Sequence, residues 1–386
     1  MLISKRFEFS AAHVVAGSAE ERERRLHGHN YALHVAVRGQ PDWATGMVIN
    51  LAVLKGRVRE VLDRYDHRLL NNTPAASLGG ARGPTVEAVA QAIWADLAPL
   101  FREAPLDRVA LSEDGGWAAE VTSSGARAVV TGLFAAAHRT HIPTYTDQAN
   151  QAMFGVCNNP AGHGHNYRAI VEAEGPAEAL AGAVRRALVE FDHRNLSADI
   201  PSLAGKNVTT EVIARLLWAR LAVQLPAGSR LQRVRLHELP DLFAEYAGDG
   251  DGAFLGRRYT FFAAHRLASP RLTPADNEAL YGQCSRPDPH GHSYRVEVTA
   301  AGQIDAETGL VMNLADLDRL AAEAVGPLDG RYLDAEVAAF KERPSTGENL
   351  LEHLWDELSA RFGGRLARLR LWETRNNCFE TFGRRL

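Results

Sequence analysis

One short pattern occurs three times along this chain and narrows what it can fold into. His-Gly-His stands at residues 27–29, 163–165 and 290–292, and each follows a phenylalanine-containing, strand-like run ending in Ala-Ala-His, at His13 (FSAAH), His138 (FAAAH) and His265 (FFAAH). Nine of the fifteen histidines therefore fall into three matching sets. Each set offers two imidazoles from one strand start and a third from a neighbouring strand. Three neutral imidazoles with a vacant fourth position are what a catalytic zinc site uses, whereas a structural site is closed by four protein ligands. The expected metal ligands are His13, His27 and His29, then His138, His163 and His165, then His265, His290 and His292.

Other marks recur in the same order, so the chain reads as three copies, over residues 1–124, 125–250 and 251–386. After each HGH comes Asp66-His67, Asp192-His193 or, in the third copy, Asp329-Gly330. A hydroxyl-bearing helix start follows, at Thr85, Thr209 and Thr346, and then a late glutamate, Glu113, Glu238 or Glu373. The joints Ser123-Ser124-Gly125 and Gly248-Asp249-Gly250-Asp251-Gly252 are tight turns, which favours docked copies. In the first copy Ile3 to Ala11 and Tyr31 to Val37 alternate as strands do, while Leu51 to Leu62 and Val86 to Leu97 step by three and four as helices do. Helical spacing returns over Ala181 to Val189, Val212 to Leu221, Leu314 to Val325 and Leu350 to Leu358, and third strands lead into the late glutamates. Each copy is expected to be an α+β unit, a four-stranded antiparallel sheet with two helices on one face.

Charge and cysteine content exclude several roles. A net charge of −4 leaves no basic footprint, so no nucleic-acid partner is expected. No apolar run approaches the length of a membrane span and the first residues hold no signal-like core, so the expected address is cytoplasmic, with no membrane partner. Three cysteines cannot build a disulfide framework. Cys157 and Cys284 each lie six residues before the first histidine of an HGH, so a loop can fold the sulfur back toward a metal. A nearby cation favours the thiolate, the form able to take a proton. Cys378, in the last strand region, is expected to pack.

Together, HGH with an upstream AAH, the DHRLL and DHRNL stretches and the late glutamates resemble the 6-pyruvoyl-tetrahydropterin synthase and 6-carboxytetrahydropterin synthase family of the tunnelling fold. Residues 134–167, FDHRNL, VTTE, YGQCSRPDPHGHSY and LWETRNN carry most of the likeness, which spans nearly the whole chain. The resemblance implies three ββααββ units closing a pseudo-threefold antiparallel barrel of twelve strands with helices outside, and two such chains stacking as a homodimer. It implies Zn2+ as cofactor, a pterin triphosphate as substrate, and a lyase acting on 7,8-dihydroneopterin triphosphate to give 6-pyruvoyl-tetrahydropterin. The 6-carboxy product of the queuosine branch remains an alternative, as does a non-catalytic pterin- or zinc-binding protein. Cys157, Cys284, Asp66-His67 and Asp192-His193 match the family's acid–base groups, while Glu238, Glu373, Glu113, Thr209 and Thr346 match its substrate contacts.

The losses are uneven. Copy one has Glu20, Glu21 and Glu23 where a cysteine loop is expected, and copy three has lost the histidine after Asp329, where Gly330 stands. Because the family's cysteine and Asp-His are thought to come from adjacent subunits, each site here mixes two copies. Pairing each cysteine with the preceding copy's Asp-His gathers both losses into one dead site, and is the expected arrangement: Cys157 with Asp66-His67, and Cys284 with Asp192-His193.

Overall fold

The computed structural model describes residues 1–113 and 116–383. Among them twelve long strands form one sheet closed on itself. The first copy supplies β1 (Leu2–His13), β2 (His27–Arg38), β3 (Leu106–Ser112) and β4 (Trp117–Thr122). The second supplies β5 (Gly125–His138), β6 (His163–Glu174), β7 (Arg230–His237) and β8 (Leu242–Tyr246), and the third β9 (Gly252–His265), β10 (His290–Gln303), β11 (Leu366–Thr374) and β12 (Asn377–Phe382). Each strand runs antiparallel to the one before it, and β12 returns to β1 with Leu2 opposite Glu380 and Lys5 opposite Asn377. Closure pairs the edges that a lone four-stranded unit exposes.

Six longer helices pack outside the ring: Leu51–Leu62 and Val86–Leu97, Ala177–Leu188 and Thr210–Ala222, and Leu314–Val325 and Gly347–Phe362. The hydroxyls of Thr85, Thr209 and Thr346 cap the second helix of each pair, accepting from the N–H of Ala88, Val212 and Asn349. The first helix of the second copy starts at Ala177, four residues ahead of its apolar spacing, directly behind Gly175-Pro176. Strand alternation sends residues such as Phe7, Phe9, Tyr31 and Leu33 toward these helices, where they are buried. The opposite faces point into the barrel and carry charge.

That interior charge forms a circuit. Glu120 pairs with Arg127, Arg127 with Glu172 (3.8 Å), Glu172 with Arg233, and Arg233 with Glu245 (3.6 Å). The circuit continues from Glu245 to Arg368 (2.6 Å), Glu380 (3.9 Å), Arg108 (3.0 Å) and back to Glu120 (3.8 Å). Glu297 adds a second tier, reached by Arg235 (3.5 Å), Arg258 (2.8 Å) and Arg370 (3.5 Å). Burial alone raises a carboxyl pKa, yet the surrounding guanidinium groups hold Glu297 and Glu380 at about 2.

Two outcomes follow. Glu380→Gln removes the nearer carboxylate from the half-buried Arg108 and Arg370, which keep only the longer contacts to Glu120 and Glu297, and lowers the unfolding free energy by about 3 kcal/mol in urea denaturation. In the parent chain, carboxylates with a depressed folded pKa contribute stability that is complete above the ordinary value of 4.5 and lost as pH falls toward about 2. Thermal melts against pH should show the midpoint dropping across that window.

Candidate active site

Register builds the histidine sets. Pairing of β1 with β2, β5 with β6 and β9 with β10 puts His13 opposite His27, His138 opposite His163 and His265 opposite His290. The second histidine of each HGH lies two residues on and shares the face. Each set brings its ligand atoms within 4.8 Å of one another. His13 Nε2 lies 3.0 Å from His27 Nε2, and His265 Nε2 lies 3.0 Å from His290 Nε2 and 3.2 Å from His292 Nε2. The other ring nitrogen of His13, His138 and His265 faces the carbonyl just before each helix cap, Pro84 (3.0 Å), Val208 (2.8 Å) and Ser345 (3.2 Å). Donation there places the proton on Nδ1 and leaves Nε2 as a lone pair. Burial drives His13 down to about 4 and lowers His163, His165, His265 and His292, so these imidazoles are neutral near pH 7. The buried Nε2 atoms of His138 and His163 have no hydrogen-bond partner. Lone pairs converging at 3 Å repel unless a cation stands between them, and a set of imidazoles suits a transition-metal ion.

Carboxylates and thiols stand around two of the sets. Glu238 Oε1 lies 3.3 Å from His165 Nε2, and its other oxygen accepts from the Thr210 hydroxyl. Glu373 Oε1 lies 3.7 Å from His265 Nε2, while Oε2 accepts from Asn377 Nδ2 (3.2 Å). Two short helices that apolar spacing does not reveal, Asp147–Phe154 and Pro274–Tyr281, lead into the cysteine turns Gly155–Asn158 and Gly282–Ser285. Buried Asn150 and Asn277 clamp the loops ahead of them, and Thr140 N–H and Leu267 N–H bind the Cys157 and Cys284 carbonyls (3.0 and 2.8 Å). Burial, then Glu238 or Glu373, pushes both thiols up, so a thiolate at either turn needs a cation beside it. Cys378 lies on β12, pushed up to about 12 by burial and then by Glu380.

The Asp-His positions are set by strand edges. Backbone groups at alternate residues of a strand point to the same edge. On β1 the Arg6 N–H meets Asn376 of the third copy (2.8 Å), so Ser10 and Ala12 present their groups to that side too. There Ser10 N–H donates to Asp66 Oδ1 (2.9 Å) and His67 N–H donates to the Ser10 carbonyl (2.6 Å). By the same parity Thr131 meets Gly116 and Ala135 meets Asp192, while Arg258 meets Asp241 and Phe262 meets Asp329. Each Asp-His position therefore faces the preceding copy, which reverses the expected pairing. The cysteine loops face the following copy: Ser269 and Tyr281 hydroxyls donate to the Ala44 and Thr45 carbonyls, Thr144 donates to Glu307 (2.9 Å), and in copy one Ser18 donates to Glu178 (3.2 Å), so Cys284 shares its boundary with Asp66-His67, Cys157 with Asp329-Gly330, and Glu23 with Asp192-His193. The cause is local: β12 starts at Asn377, opposite Lys5, so the rest of β1 lacks a partner strand on that side and the Asp-His segment fills the edge.

Backbone strain marks the same positions. His67 (φ 56°) and His193 (φ 55°) are the non-glycine residues with positive φ among those described, and Gly330 (φ 73°) adopts the same sign. A left-handed non-glycine costs about 1–2 kcal/mol, and such strain collects at functional sites. Asp66 Oδ1 lies 2.9 Å from His67 Nδ1, and Asp192 Oδ2 2.9 Å from His193 Nδ1, with both imidazoles otherwise exposed. Gly330→Ala should destabilise the chain by about 1–2 kcal/mol whereas His67→Gly should not destabilise it, as read by urea denaturation.

The family model described as 6-pyruvoyl tetrahydropterin synthase matches residues 2–124, 128–249 and 255–384. The chain belongs to that family. The 6-pyruvoyl tetrahydrobiopterin synthase of Pongo abelii is 46% identical over 127 residues, which is 32% of this chain and 88% of the relative. That of Homo sapiens is 44% identical over the same length and shares. The solved Caenorhabditis elegans 6-pyruvoyl tetrahydropterin synthase is 32% identical, covering 35% of this chain and 97% of its own, with a TM-score of 0.34.

In this three-copy member of the synthase family, neighbouring copies are also bolted together beside the histidines. Thr209 Oγ1 donates to the Gly309 carbonyl and Thr346 Oγ1 to the Gly46 carbonyl, both at 2.6 Å. Those hydroxyls, expected at the substrate, are engaged in helix capping and in the joint to the next copy. Three glutamates that sequence reading passed over complete the joints: Glu211 accepts from Val311 N–H (3.0 Å), Glu348 from Val48 N–H (3.2 Å), and Glu87 from Ala177 N–H. Burial raises Glu211 to about 7 and Glu348 to about 8. Their signal was a glutamate two residues after each capping threonine.

Proposed function

We propose that the chain is a zinc-dependent synthase converting 7,8-dihydroneopterin triphosphate to 6-pyruvoyl-tetrahydropterin with loss of triphosphate, a carbon–oxygen lyase, and that the boundary between copies three and one carries turnover. The observation behind this reading is that Cys284, the His265, His290 and His292 set, Glu373 and Asp66-His67 share that boundary. The boundary of copies two and three has Cys157 but Gly330, and that of copies one and two has Asp192-His193 but Glu23. The names of the relatives favour the 6-pyruvoyl branch.

Zn2+ held by His265, His290 and His292 would supply Lewis acidity toward the side-chain hydroxyls of the substrate. Cys284 takes the proton from the adjacent side-chain carbon, and His67 exchanges protons on the other side, oriented by Asp66. Glu373 accepts two parallel hydrogen bonds from the aminopyrimidine edge, and Thr346 shapes the pocket wall through Gly46. Glu238 with Thr209 and Glu113 are the corresponding groups at the other boundaries. No helix among the described residues is long and apolar enough to cross a membrane, and a cytoplasmic homodimer of stacked rings completes the reading. Light scattering should give the mass of two chains.

Mass spectrometry of the product from 7,8-dihydroneopterin triphosphate tests the chemistry: a 6-pyruvoyl product is expected, and a 6-carboxy product moves the chain to the other branch. Cys284→Ala and His67→Ala should each lower kcat by about 100-fold or more, and the double variant should be little worse than either, because the two act as one unit. Cys157→Ala and His193→Ala should leave most of the rate. Loss of activity in Cys157→Ala with full activity in His67→Ala overturns the assignment.

A further inference from the structure

Beyond Lys5 the edge of β1 has no partner strand on the copy-three side, and a cavity of about 490 Å3 opens there between the helix Leu51–Leu62 and the copy-three residues Arg375 and Asn376. Such a volume falls within the roughly 300–1,000 Å3 of a small-molecule pocket. Its lining is rich in cations: Lys5, Lys55, Arg59 and Arg375 face it, as does Arg6, which is paired with Glu8. Among the described residues no carboxylate pairs with Lys5, Lys55, Arg59 or Arg375. Burial and then the charge of Lys55 hold the Lys5 ammonium below the usual lysine range. Like charges gathered around one cavity favour the entry of an anion.

The cavity adjoins the groups placed at this boundary. Asp66, which orients His67, is part of its lining. Lys5 Nζ donates to Asn377 Oδ1 (2.7 Å), Asn377 Nδ2 donates to Glu373 Oε2 (3.2 Å), and Glu373 Oε1 lies 3.7 Å from His265 Nε2. The other two boundaries have no such lining. Eight residues before the AAH histidine, Lys5 is replaced by Val130 in copy two and by Arg257 in copy three; eleven residues before the aspartate, Lys55 is replaced by Ala181 and Asp318. Arg257 is neutralised by Asp318 (2.8 Å) and Asp241 (3.3 Å). Arg59 corresponds to Ala322 in copy three and to Arg185 in copy two, and Arg185 pairs with Glu20 (3.3 Å). At these positions unpaired cations therefore gather at one boundary, the one that holds Cys284 and Asp66-His67.

We propose that this cavity binds a condensed phosphate and, resting on the synthase reading of the same boundary, that Lys55, Arg59 and Arg375, with Lys5 behind them, hold the triphosphate of the pterin substrate. A guanidinium takes two phosphate oxygens at once, and an ammonium acts as a point charge. The grip is present at one boundary in the ring, so substrate is drawn to the place where the acid–base groups stand.

Calorimetric titration of the full chain with inorganic tripolyphosphate tests the site. One anion per chain should bind, and Lys55→Ala, Arg59→Ala and Arg375→Ala should each weaken it about 10-fold or more, the effect of removing one charge-assisted contact. Circular dichroism reports that each variant is folded. Arg185→Ala, at the boundary of copies one and two, should bind as the parent does, and so should His290→Ala, because the anion is held by the cations and not by a metal ion. With 7,8-dihydroneopterin triphosphate, Arg59→Ala should raise KM about 10-fold, while affinity for 7,8-dihydroneopterin, which carries no phosphate, is unchanged. No binding of tripolyphosphate, three equivalents per chain, parental affinity in the three cation variants or loss of binding in His290→Ala overturns the site and leaves the product assay of the synthase reading standing. An unchanged KM in Arg59→Ala overturns the link to the substrate. Binding that the cation variants lose, in a chain that forms no pterin product, keeps the site for free condensed phosphate and overturns the synthase reading.

Discussion

The ring holds together only if the charge enclosed within it is neutralised. One link of the Glu–Arg circuit crosses every boundary: Arg127 to Glu120, Arg368 to Glu245, and Arg108 to Glu380. Separating any two copies cuts that link, opens the circuit and leaves a row of strand hydrogen-bonding groups without partners. Breaking a buried pair costs several kcal/mol, so opening one boundary is opposed locally and all three share the load. The histidine sets are built within each copy, but which Asp-His segment stands beside them depends on the same closure. The joint between copies three and one carries no peptide link, only β12 against β1, the Arg108–Glu380 pair and the loop contacts around Gly46.

Much of this was readable in the sequence. Strand periodicity turns the two-residue spacing of HGH into a shared face, so the clustering of the histidines followed from spacing and repeat, and the helices and third strands fell close to their apolar patterns. The charged interior was not readable, because alternation shows a polar face without saying whether it meets solvent or the inside of a closed sheet. The cysteine-bearing loops hid their helices since Asp147–Phe154 and Pro274–Tyr281 are short and mostly polar, held by caps and by buried Asn150 and Asn277. Which copy faces which is decided by the parity of backbone groups at Arg6, Thr131 and Arg258, a property of pairing that no motif records. The economical history that placed both losses in one site therefore pointed the wrong way.

Glycine at position 330 is informative in this light. The left-handed turn is kept in all three copies, as the backbone needs it to fill the open strand edge, while the imidazole is kept in two. A glycine there relieves the strain without altering the fold. Conformation and chemistry at that turn are thus separable, and the third copy retains only the first.

A ring of three identical chains has one gene behind every boundary, so any change is made three times over. Joining the copies breaks that symmetry: a substitution now alters one boundary and leaves its two counterparts untouched. Each boundary can acquire its own trade, and the missing cysteine and the missing imidazole stand at different ones. The arrangement also places β1 and β12 side by side at the boundary where Cys284 and the Asp66-His67 segment stand. Strands more than three hundred residues apart in the chain thus form neighbouring walls there, and a change in either copy is felt at the same place.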